Sequence, residues 1–531
     1  MDLRRLIMGR SRKSAAVIAF LVLVTVQTHA SEYNVKEYGA KGDKISKDTA
    51  AIQAAVNACS KAGGGTVHFP AGDYLSGKIR LLSNVNLHVG AGATIWASRE
   101  PSDYEGSRAL IVAEDAQNIS VEGLGTLHGI GEADWGRRPK DRDVRGGATS
   151  PENRPSFRAG MIRFSDCRGV VIRGIRVLFS DTWTIHLRDS ENVLVDGVTI
   201  LNNYFRANSD GIDPVSCKNV RISNCHIVAG DDCIVLKTTE NGPCENVVVS
   251  NCTLESIATA VKIGTETPRD FRNIHFSNCA IRNSTVGIGI YVKDGATVER
   301  VTFSNISIEN HSASAAASQG RRICPIFVDI EKRHPDSLIG KIRDITFDDI
   351  QIYSGVGVLI QGMPESPIEN LTLEDVAFRV YDPGDYSNRR KHVGGRRTTS
   401  DERDTLYARK PSYVTLAHVK GLTVKDLKVH ISEGDFRKYE RSAFHGNEME
   451  NCVIRNVFRE PSGKGGVAPV VALHNCRNTL VTDCIAGPAT PVFLGLSGRR
   501  TARISIDRTG LQGAVRSVAR GKDVPSDAIG D

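Results

Sequence analysis

One phrase recurs along the chain. It begins at Asn192 (NVLVDGVTI) and returns at Asn219, Asn246, Asn273 and Arg300, a step of 27 residues each time. Weaker copies start at Asn84, Asn118 and Gly169, and again at Asp344, Asn370, Gly421, Asn451 and Asn478. Each copy reads as a short strand with alternating apolar and polar residues. One such coil leaves both strand edges unpaired and cannot cover its apolar face. Stacking coils solves both problems, because each backbone N–H and C=O then pairs with the coil above or below. Self-similarity at a fixed period outranks local propensity in setting a fold. The repeat predicts an all-β chain, a right-handed parallel β-helix of ~27-residue coils. Leucine-rich repeats, the competing solenoid, are shorter and need a leucine consensus that this sequence lacks.

The repeat assigns faces to residues. In the copy at Asn246, Val247, Val249 and Cys252 point inward, with Ser250 and Asn251 at a bend. Asn224, Asn251, Asn278 and Asn305 share one phase and predict a side-chain ladder along the axis, in the left-handed conformation that Asn tolerates. The sequons at Asn251 and Asn305 therefore read as structural. Cys225, Cys252 and Cys279 also share a phase and read as buried, reduced, small apolar groups. There are 12 cysteines, and pairs such as Cys217 with Cys244 or Cys476 with Cys484 stay open. No spacing suits a metal site, and neither a metal nor another cofactor is expected.

A stack of coils needs a plug at its end. Residues 48–62 supply a helical pattern starting at Asp48 or Thr49, with Ile52, Val56 and Cys59 on one face and a Gly63-Gly64-Gly65 stop. Before it, Arg4, Arg5, Arg10, Arg12 and Lys13 precede an apolar run from Ala15 to Val26 and a small-residue site ending at Ala30. This reads as a signal peptide over 1–30, too short to span a bilayer comfortably. The organisation expected is a signal peptide at 1–30, a single β-helix catalytic domain at 31–500 and a C-terminal tail at 501–531. Segments 130–160, 311–340 and the basic 382–412 break the period and are expected as loops. The expected product is secreted or periplasmic and monomeric, with no membrane contact once the leader is removed. A net charge of +7 is mild for 531 residues. It suits an acidic substrate and is too weak to argue for nucleic acid.

A second strand precedes each Asn. Its inward columns align as Ile212, Ile234, Val261, Ile290 and as Pro214, Leu236, Ile263, Val292. The residues between must point outward: Asp213, Val235, Lys262 and Tyr291, then Val215, Lys237, Gly264 and Lys293. Just ahead lie Asn208-Ser-Asp210-Gly and Gly230-Asp231-Asp232. Asp210 and Asp232 thus fall at equal phase on adjacent coils, about 4.8 Å apart, with Asp231 beside them. Crowded carboxylates repel, and one should hold its proton. Glycoside hydrolysis needs this combination of one protonated and one ionised carboxyl. Asp213 taken alone reads as a turn residue capping backbone N–H groups.

NSDGIDP at 208–214 and GDDCI at 230–234 resemble the two aspartate motifs of glycoside hydrolase family 28, the polygalacturonases and their relatives. Trp183 and His186 in SDTWTIH are similar to the same family's stretch upstream, as are YNVKEYGAKGD and GGGTVHFPAGDY near the start. The resemblance implies that Asp231 is the general acid and that Asp210 and Asp232 hold and deprotonate water, with inversion. The family's Gly-His-Gly stands here as Ala258-Thr259-Ala260, and its Arg-x-Lys as Tyr291-Val-Lys293. Lys237, Lys262, Tyr291 and Lys293 are the substrate-binding candidates. The substrate implied is an acidic, uronate-containing, pectin-like polysaccharide. Two other readings remain: a calcium-dependent lyase of the same architecture, and a catalytically altered glycan-binding protein.

Overall fold

The computed structural model describes residues 32–131, 157–310, 323–380, 412–431, 441–460 and 468–530. The expected signal peptide lies outside them, as do residues 132–156, 311–322 and 382–411 of the three expected loops. Every strand pairing in the stack is parallel, and the pairs fall into three axial lines. One coil shows the plan, with strands Lys218–Ser223, His226–Ala229 and Ile234–Leu236. These pair with Cys244–Ser250, Thr253–Ser256 and Thr259–Ile263 of the next coil. The molecule is a right-handed parallel β-helix.

Side chains of like phase stack. Phe276, Phe303 and Phe347 form a ladder with ring centroids 5.2 and 5.0 Å apart. Val247, Val249 and Cys252 are buried as the alternation requires. Asn251 donates to Asn224 at 3.3 Å and Asn305 to Asn278 at 2.8 Å, all four at φ between 50° and 57°. A second ladder, not anticipated, joins Asn192, Asn219, Asn246 and Asn273 through bonds of 3.0–3.1 Å. All 12 cysteines are buried and none forms a disulfide, including the pairs left open above.

The cap helix spans Thr49–Lys61 and buries Ile52, Ala55, Val56 and Cys59. Asp48 precedes it but does not cap it. Its carboxylate instead accepts the N–H groups of Lys41 (2.7 Å) and Gly42 (3.0 Å), closing the turn ahead of the helix.

Three expectations need correction. Residues beyond 500 are not a tail: Ala502–Ile506 and Val518–Arg520 continue two of the axial lines, and Ile504 and Leu511 sit in the core. Within 311–340, strand Cys324–Ile330 belongs to the stack, pairing with Val286–Val292. The fourth coil of the second-strand alignment is also two residues out. Val261 pairs with Ile288 and Lys262 with Gly289, so Tyr291 and Lys293 move down their strand relative to the columns expected. Ile288, Ile290 and Val292 all face inward, and a shift of two keeps every residue on its expected face. Period two alone cannot detect it.

The thiol column gives a stability test. Cys252→Ala removes one heavy atom from a packed stack and should cost on the order of 1 kcal/mol in denaturant unfolding. Cys252→Asp should abolish folding, because it buries an unpaired charge. Rapid thiol labelling of Cys225, Cys252 and Cys279 in native protein would contradict the packing.

Candidate active site

The two aspartate motifs are turns that enter neighbouring strands of one sheet. The Asn202 side chain pins the first, accepting from the N–H of Ser180 (2.9 Å) and donating to the carbonyl of Ser209 (3.0 Å). Ser209 Oγ accepts the N–H of Gly230 at 3.1 Å and so ties one turn to the next. Gly230 is required there. A Cβ would lie 2.3 Å from the Arg206 carbonyl oxygen and 2.4 Å from that of Asn203. Gly211 N–H donates to the Asp232 carbonyl at 2.9 Å, which sets Asp210 and Asp232 at equal phase.

Carboxylate oxygens from Asp210, Asp231 and Asp232 all lie within 4.8 Å of one another. Asp210 and Asp232 are buried and Asp231 is half-buried. Each buried acid has a lysine. Lys262 Nζ sits 2.6 Å from Asp232, whose other oxygen accepts the N–H of Thr259 at 3.2 Å. Lys237 Nζ lies 2.7 Å from Asp213 and 3.4 Å from Asp210. The same ammonium rests 3.7 Å above the Trp183 ring, and Trp183 meets His186 edge-on. Asp231 has no lysine partner among the described residues and accepts the N–H of Asn208 at 2.9 Å.

Burial raises Asp210 well above the usual carboxylate range, reinforced by repulsion from Asp213 and opposed by Lys237. Burial also raises Asp232, against the pull of Lys262. It pushes Asp213 up to about 6 despite its lysine. Burial and the nearby Arg163, Lys237 and Arg188 push His186 down to about 3, so its ring is neutral. The two ends of the Lys237 pair point different ways: the ammonium is held protonated, yet neither of its acids is held ionised as firmly as in water. One cation cannot neutralise two buried anions. The shorter contact marks Lys237–Asp213 as the ion pair and leaves Asp210 with the larger upward push.

The substrate-binding candidates separate. Lys237 is not on the groove surface; it is buried, shared by two acids and backed by an indole. Lys262 is committed to Asp232, with the Tyr291 ring 5.5 Å away. That ring lies over Gly289, where a Cβ would stand 2.5 Å from it, so Tyr291 reaches Lys262 despite the shifted register. Lys293 is paired with Glu331. Asp213 is no turn cap, since its carboxylate holds Lys237 and its other oxygen has no partner among the described residues. Sequence reasoning also missed Arg158, whose guanidinium donates to the Asp181 carbonyl at 2.7 Å and to Asn208 Oδ1 at 3.5 Å. Asp181 in turn pairs with Arg206. Asp181 lies inside the SDTW phrase; Arg158 sits in a segment with no repeat signal.

Three clustered carboxylates could in principle hold a cation. Here Lys237 and Lys262 already bring positive charge to two of them. A divalent ion would have to displace or oppose both ammoniums, so the donor set does not fit a metal.

The sequence profile described as glycosyl hydrolases family 28 matches residues 59–392. The chain belongs to glycosyl hydrolases family 28. All three clustered aspartates of this family 28 chain lie within the match. It is similar to a probable polygalacturonase of Vitis vinifera, 30% identical over 251 residues, covering 43% of this chain and 49% of that protein. An exopolygalacturonase of Platanus acerifolia is 29% identical over 215 residues, 39% of this chain and 53% of that protein. The chain thus spans about half the length of these curated relatives. In fold it is similar to the exopolygalacturonase of Thermotoga maritima, with a TM-score of 0.53 at 23% identity over 66% of this chain and 87% of that one.

The acids of this family 28 chain predict an unusual pH trend. Asp213 has a folded value of about 6 against an ordinary 3.8. Between those values the unfolded chain has released its proton while the folded chain keeps it. Stability is therefore full below about pH 3.8 and lost as pH rises through about 6. Asp210 and Asp232 shift the same way. The wild-type midpoint of thermal unfolding should decline across this window, and Asp213→Asn should flatten the decline. A midpoint that rises across it would contradict the assignment.

Proposed function

We propose that this chain is a secreted or periplasmic glycosidase that hydrolyses bonds in an acidic, uronate-containing, pectin-like polysaccharide, with inversion. The observation that carries the reading is the cluster itself: three carboxyls whose oxygens lie within 4.8 Å of one another, in a family 28 chain. Four acids (Asp210, Asp213, Asp231 and Asp232) face two ammoniums (Lys237 and Lys262), so the group keeps a proton into the mildly acidic range.

Asp231 is the proposed acid. It is the most accessible of the three and forms no ion pair with a described lysine. It gives a proton to the glycosidic oxygen as the bond to the anomeric carbon breaks. Asp210 and Asp232, each beside an ammonium, grip one water and take its proton as its oxygen attacks the same carbon. One water making two hydrogen bonds of about 2.7 Å fits between acceptor oxygens separated by no more than 4.8 Å. The spacing is shorter than the ~6.5–9.5 Å common between acid and base in inverting enzymes, so product stereochemistry is a direct test. Lys293 is the proposed grip for a uronate carboxylate, leaving Glu331 when substrate arrives, with Lys262 and Tyr291 beside it. With Thr259 where the family has a histidine, activity should fall sharply above mildly acidic pH.

Asp231→Asn should lower kcat at least about a hundredfold with little change in KM, the usual share of a general acid. Substrates with an activated leaving group should recover part of the loss. Near wild-type turnover would remove Asp231 from the role, and retained anomeric configuration by NMR would remove inversion. Glu331→Gln should lower KM for polygalacturonate several-fold, because it frees Lys293, and leave KM for a carboxyl-reduced substrate unchanged. Equal effects on both substrates would make Lys293 structural.

A further inference from the structure

A buried ion pair lies beneath the carboxylate cluster, and the hydrolytic reading does not use it. Lys237 is 4% exposed and Asp213 is fully buried. Burying two charges costs several kcal/mol per ion, and well-packed apolar residues often serve stability as well or better. This pair is worse placed than most, since one ammonium serves two carboxylates at 2.7 and 3.4 Å. Asp210 Oδ1 and Asp213 Oδ2 are buried without partners among the described residues. Stability does not account for such an arrangement.

We propose that Asp213 and Lys237 are a positioning pair that sets the orientation and charge of Asp210, and through it the acidic limit of the reaction. The inference rests on the hydrolytic reading given above. Lys237 stands five residues after Asp232, at the end of the strand that the second motif opens. Asp213 stands three residues after Asp210, on the strand that the first motif opens. The pair therefore cross-links the two strands that carry the cluster. The Trp183 ring, 3.7 Å from Nζ, blocks the ammonium from swinging away and adds its own attraction to the cation. Lys237 is in turn the sole described side chain that donates to Asp210.

The charges around Lys237 are Asp210, Asp213 and Glu266, which attract it, with Asp232 and His186 also within its influence. Lys262 beyond Asp232 repels it. His186 is neutral across the working range, so it does not switch the pair. Asp213 competes with Asp210 for the single ammonium and repels it directly. Removing either member of the pair thus moves Asp210 in opposite directions.

The test is the acid limb of kcat/KM on polygalacturonate for Asp213→Asn and Lys237→Met. Asp213→Asn leaves Lys237 to Asp210 alone, so the limb should move to lower pH by about one unit. Lys237→Met removes the cation, so the limb should move to higher pH by a similar amount. The double variant should lie between. Shifts of the same sign, or none in either variant, overturn the proposal, because a merely structural pair would not reverse sign. Circular dichroism checks folding. If Lys237→Met does not fold, Lys237→Arg keeps the charge and should leave the limb in place, and Asp213→Asn alone then decides. If the wild type hydrolyses no pectic substrate, the hydrolytic reading fails by itself. Difference infrared titration of the buried carboxyls in the same variants then reads the opposed shifts without turnover, and their absence overturns the pair.

Discussion

Backbone hydrogen bonding between successive coils holds this molecule together and dictates its chemistry. Each strand must sit about 4.8 Å above the last, so every residue has a counterpart of the same phase directly over it. Apolar residues profit: the Phe276, Phe303 and Phe347 rings stack, and Cys225, Cys252 and Cys279 pack as a column. Asn profits twice, since its amide bonds along the axis and its backbone accepts the left-handed turn at each corner. Two ladders of this kind, starting from Asn192 and ending near Asn305, hold coil corners in register.

The same constraint becomes a liability when acids share a phase. Asp210 and Asp232 are held together by the Gly211–Asp232 backbone bond, and no side-chain adjustment moves the strands apart. The fold answers with two lysines, Lys237 just past the strand that the second motif opens and Lys262 on the next coil, paired with Val235 and so two positions off the Lys237 phase. They do not cancel the charge, and burial raises both acids despite them. A site that must both hold and release protons is built from such incomplete compensation. Family membership and this electrostatic frame point to the same chemistry by separate routes.

Much of this was legible in the sequence because the signals were periodic. A 27-residue step survives point variation, and the equal phase of Asp210 and Asp232, only 22 residues apart, follows from aligning the apolar positions Ile212 and Ile234. The cap helix carried its own three-residue and four-residue spacing. What stayed hidden lacks a period. A two-residue slip between Val261 and Ile288 leaves every face unchanged, so alternation could not reveal it. Lys237 and Asp213 were assigned outward faces, yet both are buried; their mutual contact depends on which side chain reaches across two strands, and that misplaced Lys237 in the groove. The coil ending at Arg520 was missed because its strands are only five and three residues long and within it only Ile504 and Leu511 carry the core signal. Arg158 comes from outside the repeat altogether and enters the site through backbone carbonyls and Asn208.

The central claim is that clustered aspartates add water across a glycosidic bond without a metal. Digestion of polygalacturonate in heavy-oxygen water with chelator present, followed by mass analysis of the fragments, tests it most directly. The account predicts saturated fragments carrying one heavy oxygen at each new reducing end, at undiminished rate. Unsaturated fragments without the label, or activity that disappears with chelator and returns with calcium, would contradict it.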